Sequence, residues 1–157
     1  MSTAQWLLMF HITAAFLLVG ASVAAAILNT LAVRSERPSE AAALLRLIRV
    51  TLPLIGIGVT GTLVFGLWLW HELHYGLDAW WIWASLVLWV LTNALGALGG
   101  RHQERSRKLA EQLAAAGDTS TAELRALLRD RKGNALSWLA GLATLAILVL
   151  MIWKPGS

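Results

Sequence analysis

The sequence predicts an all-α polytopic membrane protein, a four-transmembrane-helix bundle with a cytoplasmic helical hairpin between helices 3 and 4. Three observations predict it. Residues 4–33, 50–70, 79–100 and 133–153 contain no charged side chain. Each stretch reaches the roughly 20 apolar residues that a helix needs to cross about 30 Å of hydrocarbon. The chain is 57% hydrophobic with a mean hydropathy of +0.63, above the usual apolar share of a soluble domain. Finally, all thirteen Lys and Arg residues lie outside those stretches or at their edges. Four spans use most of the 157 residues, so residues 1–157 form one domain.

Span one has about 30 residues, roughly 45 Å of helix, so it tilts or projects beyond the bilayer. It does not read as a signal peptide, because it lacks a basic lead and its apolar run is too long. His11, Ala15, Leu18, Ser22, Ala25 and Asn29 recur every three or four residues and predict an inward face. Pro38-Ser39 then interrupts the chain, with Ser39 as the expected N-cap of a helix leading into span two. Span two holds Pro53, a kink site, and Gly56, Gly58, Gly61 and Gly66, which let helices approach closely.

Residues 71–78 join spans two and three. Span three carries a matching stripe of Ser85, Trp89, Thr92, Gly96 and Gly99. Together these faces predict a compact bundle with a slightly polar interior. Residues 101–132 form the hairpin. Residues 103–116 extend span three, Gly117-Asp118 breaks the helix, and a capping box from Ser120 to Glu123 restarts it through Leu124, Leu127 and Leu128. Residues 133–153 complete the set as span four.

Loop charge sets the expected topology. Arg34, Arg37, Arg46 and Arg49 follow span one, and eight further Lys and Arg residues lie in 101–132. The loop 71–78 has none, only Glu72 and Asp78. The positive-inside rule puts both basic loops in the cytoplasm and both termini outside. Trp6, Trp68, Trp70, Trp80, Trp81, Trp83 and Trp153 fall at the outer ends of their spans, as an interfacial belt does. Trp89 is near mid-membrane, where its N–H needs a partner.

Composition narrows the chemistry. Without cysteine, disulfides, thiolate catalysis and Cys-ligated metals are excluded. No Asp, Glu, Lys or Arg lies inside a span, which argues against a proton-coupled pump or an ion channel. The basic residues of 101–132 alternate with acids beside a membrane, so anionic lipid is the expected partner and nucleic acid is not. The handles that remain are histidines. His11 lies within span one, and His71 and His74 lie at the outer end of span two. Imidazole ligates haem and transition metals, so His11, His71 and His74 are the candidate cofactor-binding residues. Haem b on His11, alone or with Met9, is one arrangement. A copper site from the three histidines with Met9 is another. His102, beside Arg101, reads as solvated.

Gly66-Leu67-Trp68-Leu69, Arg125-Ala126-Leu127-Leu128-Arg129-Asp130 and Met151-Ile152-Trp153-Lys154-Pro155 carry a resemblance across essentially the whole chain. The sequence resembles the bacterial family known as predicted integral membrane protein, domain of unknown function 2269. More distantly it is similar to copper-resistance D-type proteins and to haem-containing four-helix membrane proteins. Those carry a functional histidine early in the first helix, and His11 matches that position. The resemblance to the nearer family implies no assigned reaction. The lack of buried charge, the glycine-rich helix faces and the basic hairpin make a non-catalytic accessory or assembly subunit the expected role, as a homo-oligomer or within a larger membrane complex. The alternatives are a b-type haem protein with His11 as axial ligand and copper handling at the outer face.

Overall fold

Among the described residues, segregation of charge from apolar sequence produces four long helices and one short one. A computed structural model describes residues 2–76 and 78–154. Pro155 of the closing motif lies outside them. The elements are α1 (Thr3–Arg34), α2 (Pro38–Glu72), α3 (Trp80–Ala115), α4 (Ala122–Leu128) and α5 (Arg131–Trp153). Among the described residues, four helices are long and apolar enough to cross a membrane.

Side chains placed at the helix ends fix where each begins. Ser2 caps α1 in a capping box completed by Gln5. The expected cap at Ser39 is replaced by another device. Arg37 occupies the cap position without a side-chain bond, and Pro38 opens α2. Asp118 supplies the missing acceptor from the far side of the hairpin. Its carboxylate accepts from the Ser39 N–H and from the Ser39 hydroxyl, both at 2.7 Å. α4 is capped by Thr121, one residue after the expected Ser120. α5 is capped by Asp130, which accepts from the Gly133 N–H at 3.0 Å.

The chain can turn between α3 and α4 because Gly117 (φ +114°) and Asp118 (φ +57°) adopt left-handed backbone. The Asp118 N–H then reaches back to the Leu113 carbonyl at 3.0 Å, a Schellman closure of α3. That closure also aims the Asp118 side chain at α2.

α1 and α2 pack along nearly their whole length, and α3 packs on α5, while α2 meets α3 over a shorter stretch. The seam on α1 runs through Leu7, His11, Ala14, Leu18, Ala21, Ala25, Leu28 and Ala32, all buried or half-buried. Steps of four and three make this a heptad seam, the 3.5-residue repeat of helices that supercoil to stay in contact. The stripe expected from the sequence ran along one edge of it. Glycine sets the separation of the two helices. A Cβ on Gly58 would stand 2.7 Å from the Leu18 backbone nitrogen, and one on Gly61 would stand 2.8 Å from the Ala14 Cβ.

Packing is uneven along the bundle. None of the most apolar 18-residue stretch of the last span is buried. Gly96, Gly100 and Gly141 have nothing within 4 Å of a Cβ position, so on α3 and α5 these small residues bring no helix close. The hydrophobic core instead gathers at the basic end. There the last turn of α1 and the first turns of α2 meet α3 and α4 through Ala32, Ala41, Leu45, Ile48, Ala110 and Leu124. The excess length of span one is used here, since Ala32 is wholly buried in this cap.

Candidate functional site

Networks of polar side chains form at the two ends of the bundle, and among the described residues three side chains between them hold a buried polar atom without a hydrogen-bond partner. At the basic end Arg107 is the buried cation, 8% exposed. On α3 its guanidinium bridges Glu104, three residues earlier (2.7 Å), and Glu111, four residues later (2.7 Å). Arg46 of α2 joins Glu111 at 3.1 Å and ties the two helices. The i, i+3 and i, i+4 spacing was legible in the sequence as a helix-surface pattern. Its burial was not.

A second cluster links the spans themselves. The Asn29 side chain donates to Asn134 at 3.2 Å and accepts from Gln103 at 3.2 Å, so α1, α3 and α5 meet through three amides. His102, expected to be solvated, is largely enclosed beside them. Its Nε2 lies 2.8 Å from the Leu127 carbonyl and its Nδ1 lies 3.7 Å from Asp130. A Cβ on Gly133 would stand 2.5 Å from this ring, so the glycine makes room for it. Sequence spacing carries no signal for contacts between residues so far apart in the chain.

Acid lability follows from these bonds. Hydrogen bonds from Arg46, then Arg107, hold the Glu111 carboxyl below its usual range. The Ser39 hydroxyl and N–H do the same for Asp118, and the Gly133 N–H does so for Asp130. Each depressed acid stabilises the fold above its unfolded pKa of about 4 and loses that contribution as pH falls through its lower folded value. The cap is therefore expected to keep constant stability from about pH 5 to 8 and to weaken below about pH 4. Thermal unfolding across that range checks this, and Asp118→Asn should flatten part of the acid limb.

At the other end an aromatic cluster closes the bundle. Trp70 donates its indole N–H to the Tyr75 carbonyl at 2.8 Å. The Tyr75 ring meets Trp81 edge-on at 5.5 Å. Lys154 donates to the Tyr75 hydroxyl at 3.2 Å, with its ammonium 5.5 Å from that ring and 5.9 Å from Trp81. Trp81 is buried and Trp70 half-buried, whereas Trp6, Trp68, Trp80, Trp83 and Trp153 are exposed as an interfacial belt requires. Replacing Lys154 by Met should cost about 1 kcal/mol of thermal stability, with Lys154→Arg retaining most of it. Unfolding of both variants in one detergent reads the difference.

The three candidate histidines occupy different settings. His11 lies in the α1 seam beside the backbone of Thr62, with its Nδ1 edge against Gly66; a Cβ there would stand 3.0 Å from Cε1 and 3.2 Å from Nδ1. That buried Nδ1 has no hydrogen-bond partner, and neither do Trp89 Nε1 and Thr92 Oγ1. His71 lies in the last turn of α2, exposed, and His74 follows in the turn with φ +53°, also exposed. Five residues of helix put His71 about 7.5 Å beyond the level of Gly66.

The donor set for a cofactor can be tested on this geometry. Met9 lies two residues from His11, about 200° round the helix, and is exposed, so it does not share a ligand position with it. Close backing by α2 leaves no slot for a tetrapyrrole on the Nδ1 edge. Two surface grooves, one along Ile12, Thr13, Phe16 and Leu17 and one along α2 from Pro53 to Phe65, do not include His11. Among the described residues no three His, Cys, Asp or Glu side chains are grouped to hold a metal ion.

Four apolar helices, a surface of exposed aliphatic side chains and a polar cap at one end define a multipass integral membrane protein. Residues 5–155 match the family described as predicted integral membrane protein (DUF2269), and the chain belongs to that family. No curated protein and no solved structure matches it.

Proposed function

We propose that the chain is a non-catalytic accessory or assembly subunit of the bacterial inner membrane. In this reading its polar cap is cytoplasmic and its aromatic end and both termini are outside. The observation that carries it is the contrast between the two halves of the molecule. The cap is tightly bonded, while the membrane-crossing faces of α3 and α5 expose glycines such as Gly96, Gly100 and Gly141. Small residues on a lipid-facing surface let another helix approach closely, which a self-sufficient bundle does not need. Loop charge supports the orientation, because every Lys and Arg except Lys154 belongs to the cap end.

The test is solubilisation in a mild detergent or a native lipid particle, followed by mass measurement. A homo-oligomer or a stoichiometric larger complex is expected. A stable monomer that retains no partner contradicts the reading. His11 remains the residue on which the haem alternative turns. Purified protein with a Soret band lost in His11→Ala would replace the accessory role by that alternative. Stoichiometric copper after loading would favour copper handling at the outer face.

A further inference from the structure

We propose that Arg34, Arg49, Arg101 and Lys132, one from each membrane-crossing helix, form a belt that binds the phosphate groups of anionic membrane lipids. Its basis is a separation of charge that chain order conceals. Along 101–132 acids and bases alternate, yet four of the five carboxylates bond within the fold. Glu104 and Glu111 close on Arg107, Asp118 caps α2 and Asp130 caps α5. All four belt residues are exposed, and among the described residues none has a carboxylate within 4 Å, although Glu104 and Asp130 act on Arg49 and Lys132 from farther off.

Their depth matches a headgroup layer. The amides of Asn29, Gln103 and Asn134 fix a common level across three spans. At a rise of about 1.5 Å per residue, Arg34 lies about 7.5 Å beyond that level, and Arg101 and Lys132 each lie about 3 Å from it. The Leu18–Gly58 contact sets the α1–α2 register and puts Arg49 opposite Ile27, again about 3 Å away. The four α-carbons thus fall within about 10 Å along the bundle, and flexible stems extend their reach.

Adjacent apolar surface selects lipid over a soluble anionic partner. Leu31, Val50, Leu98 and Trp138 are exposed within about two turns of the four cations. Each cation therefore stands at the edge of a surface that acyl chains cover. Distribution over four helices also suits a ring of headgroups, where a docked protein would need one face. Each cation near an anionic surface strengthens attraction, on the order of fivefold in binding.

The experiment uses purified full-length protein titrated with phosphatidylglycerol, phosphatidylcholine or inorganic phosphate. Thermal midpoint and retained lipid, counted by native mass spectrometry, are the readouts. A fourfold variant, Arg34→Gln/Arg49→Gln/Arg101→Gln/Lys132→Gln, is compared with Lys108→Gln/Arg125→Gln/Arg129→Gln, which removes cap charges outside the belt. Phosphatidylglycerol should stabilise the wild type and the second variant more than phosphatidylcholine does, and the fourfold variant should respond to both alike. If the fourfold variant does not fold, Arg49→Gln and Arg101→Gln singly should each weaken retention of the anionic lipid. Equal response of the wild type to both lipids overturns the proposal. So does full reproduction of the effect by free phosphate, or its loss only in the variant lacking charges outside the belt.

Discussion

Gly58→Ala should separate α1 from α2 and destabilise the protein by about 1–3 kcal/mol. The added methyl would stand 2.7 Å from the Leu18 nitrogen and 2.8 Å from its Cα and Cβ. Two of those atoms are backbone, so no rotamer change relieves the clash and the helices must move apart. Gly56→Ala is the matched control. Two residues away on the same helix, it has nothing within 4 Å and should leave stability unchanged or slightly raised by the better helix propensity of Ala. Thermal unfolding of both variants in one detergent measures the difference. Equal midpoints would mean that the close seam is not what sets the α1–α2 spacing.

Leu124→Ala should release the short helix from the cap at a cost of about 2–5 kcal/mol. Leu124 is 1% exposed and packs where α1, α2 and α3 converge. α4 has only seven residues, and its buried side chains are Leu124 and Leu128. A helix that short does not persist in water on its own propensity, so it depends on those two contacts. Loss of the leucine should raise protease cleavage and amide exchange across residues 116–130 while the membrane helices stay intact. Unchanged protection there would show that α4 is held by its flanking caps instead.

Four crossings were legible in the sequence because each leaves an uncharged run longer than a bilayer requires. The break at Gly117-Asp118 was legible too, since left-handed backbone favours those residue types. Pairing between distant residues was not. Nothing in the sequence around Ser39 says that Asp118 will cap the helix there, and nothing beside His102 announces the space left by Gly133. Burial explains the division of the tryptophans in the same way. Trp81 and Trp83 are alike in sequence context, yet Trp81 is buried against Tyr75 and Lys154 while Trp83 is exposed and meets Trp70 edge-on. Among the histidines, the sequence located His11 in the membrane but gave no indication that Gly66 backs its ring.

Cysteine mapping tests threading and orientation together, and the chain has no native cysteine to remove. Single substitutions Glu36→Cys, His74→Cys and Thr119→Cys place exposed thiols in the turn after α1, the turn after α2 and the loop after α3. In intact cells an impermeant maleimide should modify position 74 alone, with 36 and 119 reacting only after the membrane is opened. Reaction of 36 or 119 in sealed cells, or of all three together, would contradict a chain that crosses four times with its polar cap inside.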